Sequence, residues 1–285
     1  MLPRPEGPDF VGVGVQKSGS TWLADILGQH PQVWIPQKEI HFFDRYFYRG
    51  YRWYHGWFLN KNDRLGGDFT PDYFISPSPQ VMQKEFYPHW NFRRLLLYPS
   101  RKAHPPGRKK ISFSSWGLLR IINFWFHPLS ARDELKAHYP GIRVFAIFRN
   151  PVERAWSAYW DFRRRKDRHH RPFVSFEDLW ANDGRWIRTH GLYAQYLTYW
   201  QQAFPDFGIF FYDDLKTNPR ELAQKVYQFI GVDDTFAPQV DRWKNKGEYE
   251  PMTRLTRAKL VEFYHDEIEK FARLTGRDLS HWLKI

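Results

Sequence analysis

The sequence predicts an α/β fold: a P-loop-like domain in which a central parallel sheet is flanked by helices. Two features of the pattern predict it. Short apolar runs alternate with stretches of helical periodicity, as parallel strands joined by crossover helices require. The apolar runs at residues 10–15, 143–148 and 208–212 are each followed by a loop and then a helix, at 21–29, 152–163 and 219–230. A third feature is local. The first strand passes straight into a loop of small hydroxyl and glycine residues, the usual entrance to a helix that holds an anion.

That first junction reads Phe-Val-Gly-Val-Gly-Val-Gln-Lys-Ser-Gly-Ser-Thr-Trp over residues 10–22. Lys17, Ser18, Gly19, Ser20 and Thr21 form the loop, and Trp22, Leu23, Ile26 and Leu27 carry the helical period. Free backbone N–H groups and the positive end of the helix dipole point at one spot, where Lys17 adds a full charge. A nucleotide triphosphatase loop places Gly-Lys-Ser/Thr after four spacer residues. Here the lysine precedes the glycine, so the cation enters from the other side of the loop.

The second junction runs from Arg143 to Ser157. Its strand ends at Arg149, Asn150-Pro151 makes the turn, and Ser157 falls in the second turn of the next helix. A strand-end arginine can grip a phosphate with two parallel N–H groups, and a serine hydroxyl can complete the grip. In open α/β sheets ligands bind at the carboxyl edge, so both loops face one crevice. Two anion sites on one edge suit a ligand with two separated phosphates. Further on, Asn218 before Pro219 reads as an N-cap followed by a first-turn proline. Helical aromatic stripes at Tyr193, Tyr196, Leu197, Trp200 and Phe204, and at Leu260, Val261, Tyr264, Ile268 and Phe271, read chiefly as core.

With 285 residues, 42% hydrophobic and 19% aromatic, the chain can bury one large core, and a single domain over 1–285 is expected. It has no cysteine, which excludes disulfides, thiolate metal sites and cysteine nucleophiles. No apolar stretch is long enough to span a bilayer and no signal pattern opens the chain, so a cytoplasmic protein is expected. A net charge of +12 favours anionic partners. No zinc finger, helix-turn-helix or RNA-binding signature points to nucleic acid. The charge concentrates at Arg163-Arg164-Arg165-Lys166 and in residues 88–130, where the alternation of strands and helices breaks. There, a basic Pro-rich loop precedes an aromatic amphipathic stretch. This makes 101–126 a candidate for peripheral membrane contact, beside the plainer reading of a lid or dimer element.

Taken together, these motifs resemble the sulfotransferases that use 3′-phosphoadenosine 5′-phosphosulfate, with the heparan-sulfate-type and bacterial carbohydrate branch nearest in pattern. Residues 17–22 resemble the 5′-phosphosulfate loop and Arg149 to Ser157 the 3′-phosphate motif. Pro36-Gln37-Lys38-Glu39-Ile40-His41-Phe42-Phe43-Asp44 is similar to the segment carrying that branch's catalytic glutamate. Gly67-Asp68-Phe69-Thr70-Pro71-Asp72-Tyr73 resembles its substrate-side loop, although Phe69 stands where the branch often has a lysine. Gly191-Leu192-Tyr193 resembles the element whose tyrosine lies near the adenine. Lys244-Asn245-Lys246-Gly247 is similar to the basic loop that closes over the nucleotide, and residues 88–130 exceed the family's usual spacing, which implies an insertion.

The resemblance implies sulfuryl transfer to an acceptor hydroxyl of a saccharide or glycolipid, or of a small alcohol or phenol. Lys17 would neutralise the leaving oxygen, residues 18–21 would hold the 5′-phosphate, and Trp22 would either stack on adenine or anchor the helix in the core. Glu39 is the expected base, its pKa raised by neighbouring aromatics, with His41 as its competitor on the same face of an extended strand. No metal is expected, because the histidines and carboxylates show no ligand spacing of the His-x-x-x-His kind. Two rivals fit parts of the pattern. A kinase would need Gly-Lys-Ser/Thr and a magnesium-binding aspartate after a strand, and a non-catalytic anion-binding module would have no use for two phosphate loops or Glu39.

Overall fold

The strands β1 (Phe10–Gly14), β2 (Val33–Trp34), β3 (Leu65–Phe69), β4 (Arg143–Phe148) and β5 (Gly208–Phe211) pair in parallel in the order β2-β3-β1-β4-β5. They belong to a computed structural model that describes residues 7–75, 130–167, 172–241 and 249–285. The insertion at 88–129, the stretch 101–126 within it, and Lys244, Lys246 and Gly247 lie outside the described residues.

Around the sheet run α1 (Ser20–Gln29), α2 (Gly50–His55), α3 (Ala131–His138), α4 (Pro151–Asp167), α5 (Arg185–Thr189), α6 (Tyr193–Gln201), α7 (Tyr212–Thr217), α8 (Pro219–Ile230) and α9 (Arg254–Thr275). Strand alternation divides the core into two layers. Val144, Ala146 and Phe148 of β4 face a layer completed by Val152 and Ala155 of α4, Leu197 and Trp200 of α6, and Tyr264, Ile268 and Phe271 of α9. Phe145 and Ile147 face the opposite layer, with Leu23, Ile26 and Leu27 of α1 and Leu222, Val226 and Ile230 of α8. The three expected strands and their following helices are present. Asn218 caps α8 as expected, its side chain accepting the Glu221 N–H at 3.3 Å.

Three expectations need correction. Residues 67–69, expected as loop, end strand β3, and β2 has no counterpart among the expected strands. β2 is only two residues long, and β3 is Leu-Gly-Gly-Asp-Phe, so neither shows an apolar run. Helix α4 continues to Asp167 instead of ending at Arg163. Tyr212 opens a short helix instead of closing β5.

The topology places the site. The chain leaves β1 towards β3 and β2 on one side and leaves β4 towards β5 on the other. Neighbours β1 and β4 therefore form a switch point, and the loops after them open at one crevice.

Candidate active site

After β1 the chain turns sharply. Lys17 has a φ of 68° and Gly19 a φ of 96°, both in the left-handed region. Gly19 is required there twice over, since a Cβ would also meet the Tyr212 ring at 3.0 Å. Gly19 is the N-cap of α1 and offers no side-chain cap, so the first-turn N–H groups stay open to an anion. Ser18 is fully buried beneath the loop. The Lys17 ammonium lies 3.4 Å from Asp161 Oδ1 on α4. Burial lowers the Lys17 pKa, and the Asp161 carboxylate works against that shift.

Of the two roles expected for Trp22, the structure shows the anchor. It is 3% exposed, packed in the α1–α8 layer, and its indole N–H donates to the Val240 carbonyl at 3.0 Å. Trp156 of α4 makes the corresponding bond to the Glu250 carbonyl at 2.9 Å. These bonds pin the described residues on both sides of 242–248 to the two helices that follow the anion loops.

Arg149 ends β4 beside this loop. Its Nη1 donates to the Lys17 carbonyl at 3.3 Å, and its guanidinium lies 4.8 Å from the centre of the Tyr212 ring. Glu153 Oε2 stands 3.9 Å from Nη2. Among the described residues the Arg149 Nε is buried without a hydrogen-bond partner, and an orphaned charged donor of this kind is costly until an acceptor arrives. Ser157 is buried on α4, the helix that follows Arg149. Tyr193, expected near an adenine, is 1% exposed and donates its hydroxyl to the Arg149 carbonyl at 2.8 Å. It therefore braces the strand end, and burial raises its pKa.

Glu39 and His41 come together, though not on an extended strand. Both have left-handed φ values, 63° and 56°, in a turn that follows an isolated bridge between Lys38 and Phe69. His41 Nε2 lies 3.6 Å from Glu39 Oε2, and His41 Nδ1 lies 2.9 Å from Asp44 Oδ2. The expected rise in the Glu39 pKa is reversed. Hydrogen bonding to His41 outweighs burial, and Lys38 adds to it, holding the carboxyl at about 2. Burial lowers the His41 pKa, but Asp44 and Glu39 overcome it and raise the ring to about 9. At neutral pH the pair is therefore carboxylate and imidazolium.

A buried network holds this strained turn in place. Asp68, at the end of β3, accepts hydroxyls from Thr70 at 2.8 Å, Tyr54 at 2.9 Å and Tyr73 at 3.1 Å. Thr70 Oγ1 in turn accepts the His41 N–H at 3.3 Å, and the Tyr73 hydroxyl accepts the Phe42 N–H at 2.7 Å. Burial raises the Asp68 pKa to about 6, against the pull of these hydroxyls. Phe69 is a fully buried core residue whose ring lies across Gly12, where a Cβ would meet it at 2.5 Å.

Residues that sequence reasoning passed over complete the site. Asp161 partners Lys17, Tyr212 faces Arg149, and Lys38 joins the first loop to Glu39, its Nζ lying 2.5 Å from Thr21 Oγ1 and 3.0 Å from Glu39 Oε1. His41, Asp44 and Asp72 offer ligand atoms within 4.8 Å of one another, an arrangement that no sequence spacing announced. Arg45 already bridges these two carboxylates, at 3.3 Å from Asp44 and 2.7 Å from Asp72. Among the described residues no helix is long and apolar enough to cross a membrane.

Comparison with known proteins identifies the family. The family model for the sulfotransferase domain matches residues 7–274. The bifunctional heparan sulfate N-deacetylase/N-sulfotransferase 3 of Mus musculus is 25% identical over 97% of this chain, which spans 31% of that protein's length. The heparan sulfate glucosamine 3-O-sulfotransferase 6 of Homo sapiens is 26% identical over 97% of this chain and 74% of its own. The membrane-associated sulfotransferase kil1 of Dictyostelium discoideum is 23% identical over 96% of this chain and 66% of its own. The crystal structure of a sulfotransferase from Alicyclobacillus acidocaldarius superposes with a TM-score of 0.69 at 21% identity, covering 97% of this chain and 99% of that one. That structure shares the parallel sheet and its flanking helices, and with the family model covering nearly its whole length the chain belongs to the sulfotransferase domain family.

Proposed function

We propose that the protein transfers a sulfuryl group from 3′-phosphoadenosine 5′-phosphosulfate to a hydroxyl of a saccharide. The observation that carries this reading is the contact between the two anion loops. Arg149, with its buried Nε lacking a partner among the described residues, donates to the Lys17 carbonyl, so the two cations stand side by side, and Lys38 links Glu39 to Thr21 of the first loop. The names of the heparan sulfate relatives support a saccharide acceptor.

In this reading the first-turn N–H groups of α1, with Ser20 and Thr21, hold the 5′-phosphate, and Arg149 and Ser157 hold the 3′-phosphate. Lys17 leaves Asp161 for the leaving oxygen. Glu39 takes the proton of the acceptor hydroxyl, the acceptor oxygen bonds to sulfur, and the bond from sulfur to the 5′-phosphate oxygen breaks. That electron pair stays on the phosphate, giving 3′-phosphoadenosine 5′-phosphate and a sulfate ester. Glu39 suits the base role better than His41, because an imidazolium with a pKa of about 9 has no lone pair to offer at neutral pH. His41 instead orients Glu39, and Asp44 orients His41. As in phosphoryl transfer, positioning and charge stabilisation carry most of the rate.

Calorimetry with 3′-phosphoadenosine 5′-phosphate, and transfer of radiolabelled sulfate to desulfated heparan, test the two halves. Saturable nucleotide binding with label in the polysaccharide is the expected result. A protein that bound no bisphosphate would not be this enzyme.

A further inference from the structure

We propose that Lys38 is a further catalytic residue, whose ammonium holds the transferring sulfuryl oxygens between the donor loop and Glu39. The inference rests on the donor assignment above and adds to it a residue that the two phosphate motifs leave out.

The geometry begins with the main chain. Lys38 pairs with Phe69 in a parallel bridge, and the next N–H, that of Glu39, donates to the Phe69 carbonyl at 2.9 Å. The start of the Lys38 side chain is therefore fixed to the sheet and does not swing on a free loop. From there the ammonium reaches Thr21 Oγ1 in the first turn of α1 at 2.5 Å and Glu39 Oε1 at 3.0 Å. An ammonium has three N–H donors. The third has no partner among the described residues.

The chemistry follows from what those two partners do. Thr21 belongs to the loop assigned to the donor's 5′-phosphate, and Glu39 is the group assigned to the acceptor's hydroxyl. Sulfur must travel from one to the other. A cation in contact with both stands beside that path, where charge spreads over the three sulfuryl oxygens as the old bond breaks. In that reading Lys17 moves from Asp161 to the leaving oxygen, which leaves the sulfuryl oxygens to a second cation. The two lysines thus divide the work, Lys17 taking the leaving oxygen and Lys38 the group in flight. After His41, Lys38 also helps to keep Glu39 ionised, which a proton acceptor needs.

The test is a pair of affinities, measured by calorimetry on the full chain for 3′-phosphoadenosine 5′-phosphosulfate and for 3′-phosphoadenosine 5′-phosphate. Only the first carries the sulfuryl group. Lys38→Ala should weaken the phosphosulfate by about tenfold or more, the size of one charged hydrogen bond, and the bisphosphate by less than about threefold. Lys38→Arg keeps the charge and should stay within about threefold of wild type for both. Equal losses for the two nucleotides would make Lys38 a strut for the donor loop, and no loss for either would leave it a surface lysine. Either result overturns the proposal. Wild-type protein that failed to bind the bisphosphate would instead remove the donor assignment itself. Thermal melts of both variants separate any loss of folding from loss of contact.

Discussion

Lys17 and Asp161 face each other across the mouth of the site, Nζ to Oδ1 at 3.4 Å, each about a quarter exposed. The lysine that heads the first anion loop is thus engaged with a carboxylate from the helix that carries the second. Arg164 and Arg165 stand on the same carboxylate, and their charges help lower the Lys17 pKa.

With the proposed donor bound, Asp161 competes with its phosphate for Lys17. Asp161→Asn should tighten binding of 3′-phosphoadenosine 5′-phosphate near pH 7, by up to about fivefold, as expected for a partly exposed ion pair. The same change removes the group that raises the Lys17 pKa, so binding should fade at a lower alkaline pH than in wild type. Calorimetric titrations from neutral to alkaline pH would show both effects, and unchanged affinity throughout would mean that the pair is incidental.

Removing the cations themselves should separate two roles. Lys17→Ala is expected to cut kcat by about a hundredfold or more, because it loses charge stabilisation at the breaking bond. Arg149→Ala should act mainly on nucleotide affinity, by roughly ten- to a hundredfold, the cost of a charged hydrogen bond. Kinetics with saturating donor distinguish the two patterns.

Glu39 and His41 predict the pH behaviour. With Glu39 held at about 2, wild-type activity should persist well into acid, and Glu39→Gln should abolish it. His41→Phe takes away the largest influence lowering the Glu39 pKa, so the acid limb of kcat/KM should move to higher pH. Stability carries the opposite signature. The His41 pKa is raised from 6.5 to about 9, so its contribution is fully present below 6.5 and is lost as pH rises through 9. Denaturant melts of wild type against His41→Phe should converge over that window.

Asp68 behaves in the reverse sense for a carboxylate. Its folded pKa is raised from 3.8 to about 6, so the folded protein binds the proton more tightly than the unfolded chain. Its contribution is most favourable below 3.8 and declines as pH rises through 6. In Asp68→Asn that decline should vanish from the pH dependence of the melting temperature. The same variant should lower activity, since Thr70 and Tyr73 hold the His41–Phe42 turn through Asp68.

Much of this architecture is legible in the sequence because it is local. The run from Phe10 into Lys17 and on to Leu27 shows a strand, an open helix N-terminus and a cation within one short segment. Arg149 to Ser157 shows the same logic, and Asn218-Pro219 marks a helix start. Strand β3 is not legible, since Leu-Gly-Gly-Asp-Phe has no periodicity, and its glycines serve close packing in the sheet. Glu39 and His41 were identifiable as neighbours but not as an ionised pair. An aromatic neighbourhood in sequence suggested a raised Glu39 pKa, while in space His41 and Lys38 are nearer to the carboxylate than any ring's desolvation can offset.

The chain by itself determined where the two candidate anion loops lie, because helix dipoles, loop N–H groups and strand ends are properties of contiguous residues. Tertiary structure alone decided what each charge faces: Asp161 for Lys17, the Lys17 carbonyl and the Tyr212 ring for Arg149, and Thr21 with Glu39 for Lys38. Charge interactions depend on distance and burial, and for groups on different elements both are set only when β1, β3 and β4 bring their loops to one edge.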